Sequence, residues 1–312
     1  MVSCRMRRGI GRLVWGAAGA GLLAVGALLA WLAPYPAPDF DALKGSLSAV
    51  EPPVAPAGSP GAGDHTLRSS SGLVVRVRLR LAPAVRGPMP AAIVLGGLQR
   101  GRGAADLAAQ VVGELPVVLA AIDYPYEGDP DPRGWAMVGA LREARPALYR
   151  TVAGTRLLID FLARHPRVRP DRIVLIGVSL GGPIAVAVGG MDPRPAAVAC
   201  LFGADLPNML GHAIRPRVGP LAGAVVPLVA WHLRPIDPAR HVTAIAPRPF
   251  LLVGGRGDRR IPAAAIEALA RATGPAARTV WLEAPHPDPA ASEWLRLAAE
   301  VVRSWLAKHD LL

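Results

Sequence analysis

The 312-residue chain is poor in cysteine, lysine and aromatic residues. Two cysteines, Cys4 and Cys200, are too few for a disulfide framework. Lysine occurs only at Lys44 and Lys308, so arginine carries nearly all the positive charge behind a net +12. Its clusters, such as Arg164, Arg167, Arg169 and Arg172, lack interleaved aromatics. That pattern fits a solvated face and speaks against a nucleic-acid partner. The H-E-x-x-H metal motif, the G-x-G-x-x-G fingerprint and the lysine of a phosphate-binding loop are all missing. No metal and no nucleotide cofactor is expected, and no internal repeat is present.

What the chain does have is apolar content, 52%, ample for the core of one large α/β domain. Residues 13–33, "LVWGAAGAGLLAVGALLAWLA", form an uncharged run close to the roughly 20 residues needed to cross a bilayer as a helix. Arg5, Arg7, Arg8 and Arg12 sit on its amino side, and the next basic residue is Lys44. This asymmetry predicts an uncleaved N-terminal signal anchor over residues 1–33, a transmembrane helix, with the following domain outside the cytoplasm. The alternative is a cleaved signal peptide and a secreted or periplasmic domain. With an anchor, Cys4 and Cys200 fall on opposite sides of the membrane and cannot pair.

Residues 34–64 are rich in Pro, Ala and Gly without sustained periodicity, which predicts a linker. The folded domain is expected over residues 65–312. In "LVVRVRLRL" (73–81), Val75, Val77, Leu79 and Leu81 alternate with arginines, the period of a strand buried on one face, and an edge position is expected. The runs "AAIVL" (91–95), "PVVLAAI" (116–122), "RIVLI" (172–176), "AVACLF" (197–202), "PFLLV" (249–253) and "RTVWL" (278–282) are continuously apolar. Such runs mark strands covered on both faces, as in a parallel sheet. Leu148, Val152, Thr155, Ile159 and Leu162, and later Leu295, Ala298, Val302 and Trp305, follow helical spacing. Strands alternating with helices predict an α/β fold with a mostly parallel sheet, whose ligand site lies beyond the strands' carboxyl ends. The long stretch 203–240 is expected to form a small cap over that site.

Gly177, Val178, Ser179, Leu180 and Gly181 read G-x-S-x-G between a buried strand and a helix. In that context the serine projects its hydroxyl from a sharp turn, and the glycines leave room for neighbouring backbone. A serine hydroxyl needs a base to accept its proton, usually a histidine oriented by a carboxylate. Asp258 lies just beyond "PFLLV" and His286 just beyond "RTVWL", so both are expected on the sheet edge that carries Ser179. Asp205, after "AVACLF", is the rival acid. Tyr124 and Tyr126 in "DYPYEGD" (123–129) are candidate pocket residues.

The order Ser179, Asp258, His286 with the turn "GVSLGG" resembles the α/β-hydrolase family over about residues 70–308. Within it, "HPRVRPDRIVLIGVSLGG" and "APRPFLLVGGRGDRRIP" are most similar to the dienelactone-hydrolase and prolyl-oligopeptidase-like branch. The resemblance implies a catalytic triad of Ser179, Asp258 and His286. It also implies an oxyanion hole from the backbone N–H groups of Leu180 and of Leu98 in "GGLQRGRG". Many members carry histidine before the loop glycine, where this chain has Gly96, and Gln99 is the alternative donor to Leu98. The implied function is a serine hydrolase acting on a small-molecule carboxylic ester through an acyl-enzyme. Acyl transfer, hydrolysis of small peptides by the same triad, and an idle hydrolase fold used for interaction are the alternatives.

Overall fold

The computed structural model describes residues 37–56, 61–82, 85–97, 100–113, 115–129, 131–133, 136–274, 277–288 and 292–312. The chain divides into two units, Met1–Ala37 and Pro38–Leu312, and the second holds all the helices and strands described below.

Helix α1 (Phe40–Lys44) opens this unit, capped by Asp39, whose Oδ1 accepts the Asp41 and Ala42 N–H groups at 2.9 and 3.0 Å. Strands β1 (Leu47–Val50), β2 (Ala62–Ser69) and β3 (Val74–Arg80) pair antiparallel. The helices and strands then alternate: β4 (Met89–Leu95), α2 (Gly103–Val112), β5 (Val118–Ile122), α3 (Ala136–Leu162), β6 (Val168–Val178), α4 (Gly181–Met191) and β7 (Ala197–Leu201). A helical insertion of α5 (Leu206–Val218), α6 (Ala222–Leu233) and α7 (Pro238–His241) precedes β8 (Phe250–Gly255), α8 (Ala263–Thr273), β9 (Ala277–Leu282) and α9 (Ser292–Lys308). Among the described residues, nine strands make one sheet in the order β1-β2-β3-β5-β4-β6-β7-β8-β9, and those from β4 onward run parallel to their strand neighbours in that group.

Every residue of β4, β5, β7 and β8 is buried, because helices cover both faces of the sheet. One core lies on the side of α3, α4 and α8, around Leu157, Ile184 and Ile266. The other lies on the side of α2 and α9, around Ala105, Val253 and Val302. Parallel register aligns Leu95 with Gly177, Val178 with Leu201, and Gly255 with Leu282. The loops that follow β4, β6, β7, β8 and β9 therefore leave from one edge.

Two expectations change. The stretch 34–64, read as a linker, supplies α1, β1 and the start of β2, so β3 is interior and β1 takes the edge. The arginines of β3 face partners: Arg78 Nε and Nη2 donate to Asp64 at 2.7 and 2.8 Å, and Arg80 Nη1 donates to Asp106 of α2 at 2.8 Å. An alternating Arg pattern looks solvent-facing when the acids that cover it lie elsewhere in the chain.

The expected transmembrane helix, and with it a membrane partner and a membrane-anchored location for the domain, is corrected. No helix among the described residues is long and apolar enough to cross a membrane. A span needs about 20 apolar residues. The 27-residue α3 carries Arg142, Glu143, Arg145, Arg150, Arg156 and Asp160, while the apolar α6 has only 12 residues. Residues 13–33, like Cys4, lie outside the described residues.

Burial also lowers the affinity of three histidines for protons: His65, His165 and His241. His65 lies tilted and His165 edge-on against Phe161, each at 5.5 Å between ring centroids. At mildly acid pH the unfolded chain binds more protons than the folded one. Their contribution is therefore fully present above the ordinary value near 6.5 and declines as pH falls below it. Tm should drop between pH 7.5 and 5, and less steeply in His65→Phe. Equal pH slopes for the two proteins would contradict this.

Candidate active site

Ser179 sits between β6 and α4 with φ of 56°, in the left-handed region that non-glycine residues rarely occupy. Its N–H donates to Leu201 O at 2.9 Å, and its carbonyl accepts Gly182 N–H at 3.0 Å. The turn is possible because its flanks have no side chain. A Cβ on Gly177 would collide with the Gly181 carbonyl, and one on Gly181 with the Leu95 carbonyl. The sharp turn holds the hydroxyl above the carboxyl edge of the sheet.

His286, from the loop after β9, and Asp258, from the loop after β8, reach the same point. The Ser179 hydroxyl lies 3.0 Å from His286 Nε2, and His286 Nδ1 lies 2.8 Å from Asp258 Oδ2. The Asp258 carboxylate is fully shielded from solvent, and its other oxygen accepts the Arg260 and Ile261 N–H groups at 2.7 and 2.9 Å. Those two bonds fix the carboxylate, leaving Oδ2 for the imidazole. A proton held on Nδ1 by Asp258 leaves Nε2 free to accept from the serine. Phe202 stands edge-on to the His286 ring at 6.4 Å between centroids. Sequence reasoning passed over Phe202, although it ends the apolar run "AVACLF" on the edge that carries Ser179.

Asp205 is elsewhere employed. Its Oδ2 caps α5, accepting the Asn208 N–H at 3.2 Å, and burial holds its carboxyl above the usual range. Among the described residues its Oδ1 is buried without a hydrogen-bond partner. The Leu180 backbone opens α4 beside Ser179. Leu98 and Gln99 lie outside the described residues.

A cavity of about 1180 Å³ opens over Ser179 and His286. Tyr124 and Tyr126 both line it. Tyr124 OH donates to Gly96 O at 2.6 Å, fastening the loop after β4, and burial pushes its phenol well above the ordinary value. Tyr126 OH donates to Asp129 O at 2.7 Å. Helices α5 and α6, in the stretch expected to form a cap, contribute Met209, Leu210, Ile214 and Val229 to the wall. Cys200 is buried in β7 and does not line this cavity, and burial pushes its thiol up to about 12. Among the described residues, no group of three or more His, Cys, Asp or Glu side chains is arranged to hold a metal ion.

Residues 100–206 match the acetyl xylan esterase family model. A 148-residue segment is 30% identical to 2,6-dihydropseudooxynicotine hydrolase of Paenarthrobacter nicotinovorans, covering 46% of this chain and 35% of that protein. The chain thus spans about a third of the length of that curated relative. Among solved structures it is similar to acetyl xylan esterase 1 from Thermoanaerobacterium sp. JW/SL YS485, with a TM-score of 0.62 and 16% identity over 86% of this chain and 93% of that one. The acetyl xylan esterase from Paenibacillus sp. R4 is also similar, with a TM-score of 0.63 and 17% identity over 84% and 92%. By its sheet, its strand-turn-helix at Ser179 and its likeness to these solved structures, the chain has the α/β-hydrolase fold.

Proposed function

We propose that the protein is a carboxylic ester hydrolase that works through an acyl-enzyme on Ser179. The observation that carries this reading is the hydrogen-bonded line from Asp258 through His286 to Ser179 at the mouth of a large cavity. His286 Nε2 takes the hydroxyl proton as Ser179 Oγ bonds to the ester carbon, and the carbonyl oxygen becomes an oxyanion. The Leu180 N–H stabilises that charge together with a second N–H from the loop after β4, from Leu98 or Gln99. Collapse breaks the bond to the leaving alcohol, which receives the proton from His286. Water then repeats the sequence on the acyl-enzyme, giving the carboxylic acid and free Ser179.

Asp258 keeps Nδ1 protonated and stabilises the imidazolium formed in each half-reaction. The match to the acetyl xylan esterase model over residues 100–206 supports the ester as substrate class. An ester panel, measured beside the corresponding amides and with an added alcohol acceptor, tests the assignment. Hydrolysis of esters at rates far above those of amides, without transfer to the acceptor, is expected. Faster amide cleavage or dominant acyl transfer would overturn it.

A further inference from the structure

The walls of the cavity belong to both faces of the sheet. Leu107, Val111, Val302 and Leu306, from α2 and α9, border it on one side. Met137, Leu141, Met209 and Val229, from α3, α5 and α6, border it on the other. A space that touches both faces of a continuous sheet passes over its carboxyl edge, where Ser179 and His286 line it. The reacting serine therefore stands between two lobes.

The lobes differ in chemistry. Every residue that α2 and α9 contribute is apolar except Arg303, which is ion-paired with Glu300 at 2.8 Å. The other lobe carries Tyr126, Asp129, Asp131, His212 and Arg217 among its apolar groups. A leaving alcohol has to exit and water has to enter during each turnover. Both are favoured through the polar lobe, whereas the acyl group stays on Ser179 and gains from a dry one.

We propose that the α2–α9 lobe holds the acyl chain of the substrate, and that this chain is long and apolar, about eight to ten carbons or more. This rests on the acyl-enzyme reading of Ser179. The cavity exceeds the roughly 300–1,000 Å³ of ordinary small-molecule pockets. A two-carbon acyl group, at about 30 Å³ per heavy atom, would leave nearly all of it empty. Along α2 the lining runs from Ala104 to Val112, roughly 12 Å of helix rise. A zigzag chain with C–C bonds of about 1.5 Å covers that length with about eight to ten carbons.

The full chain, assayed on p-nitrophenyl esters from acetyl to hexadecanoyl and on acetates of alcohols of matching lengths, tests this. At about 0.8 kcal/mol per buried methylene, kcat/KM should rise about fourfold per methylene until the lobe is filled, and only in the acyl series. Ala108→Phe and Ala299→Phe narrow the lobe from opposite walls. Each should lower the decanoyl-to-acetyl ratio of kcat/KM tenfold or more, and the ratio is independent of how much protein folds. A flat acyl series, a rise confined to the alcohol series, or a ratio unmoved in both variants overturns the proposal. Ser179→Ala separates the two levels. If it keeps chain-dependent hydrolysis, the acyl-enzyme reading fails; if it is inactive while the wild-type acyl series is flat, only the acyl-chain assignment fails.

Discussion

Replacing Ser179 with alanine is expected to lower kcat for ester hydrolysis by about a million-fold, the size of loss seen when a serine, histidine and aspartate act as one unit. The expectation follows from the position of the hydroxyl. Ser179 is forced into a left-handed turn above the sheet edge, 3.0 Å from His286 Nε2, with the cavity in front of it. Alanine removes the hydroxyl oxygen that the proposed mechanism uses for attack and keeps the backbone that the turn needs. Residual activity over water would come from binding and oxyanion donors alone. Tm should move little, since one hydrogen bond at a part-exposed site contributes about 1 kcal/mol. Activity within tenfold of wild type, with Tm unchanged, would mean that another group attacks the ester.

Asp258→Asn is expected to lower kcat by about ten-thousand-fold with the fold kept, because asparagine cannot hold the imidazole in the tautomer that leaves Nε2 free. The two backbone donors on Oδ1, Arg260 and Ile261, can still be satisfied by the amide oxygen. The amide NH2 group then faces His286 Nδ1, which must accept, and the proton moves to Nε2. Nε2 can no longer take the serine proton. Asp205→Asn is the matched control: Asp205 caps α5 and bonds Asn208, so kcat should fall less than tenfold. Loss of activity in the Asp205 variant alone, with both proteins equally stable by Tm, would reassign the acid.

The sheet was largely legible in the sequence, because strands buried on both faces must be apolar throughout. "AAIVL", "AVACLF" and "PFLLV" coincide with β4, β7 and β8. The site was legible for a related reason. Parallel strands deliver their following loops to one edge, so residues just after "RIVLI", "PFLLV" and "RTVWL" had to be neighbours whatever the helices between them did. Long-range pairing was not legible. Nothing local in 34–64 announces that Leu47–Val50 finds β2, or that Arg78 meets Asp64 and Asp106. Nor does any motif reveal that Arg260 and Ile261 fix the Asp258 carboxylate, or that Tyr124 holds the Gly96 loop, since both use backbone atoms common to every residue. The apolar run 13–33 looked like a span on length and charge alone, and among the described residues no helix supports one.

The central claim is that an ester's acyl group passes through a covalent bond to Ser179. The most direct measurement is the mass of the full chain after brief reaction with a p-nitrophenyl ester and acid quench, followed by peptide mapping. An adduct of the acyl mass on the peptide containing Ser179, formed at least as fast as the ester turns over and absent from Ser179→Ala, is the expected result. Rapid ester hydrolysis with no adduct at any quench time, or an adduct on another residue that persists in Ser179→Ala, would contradict the account.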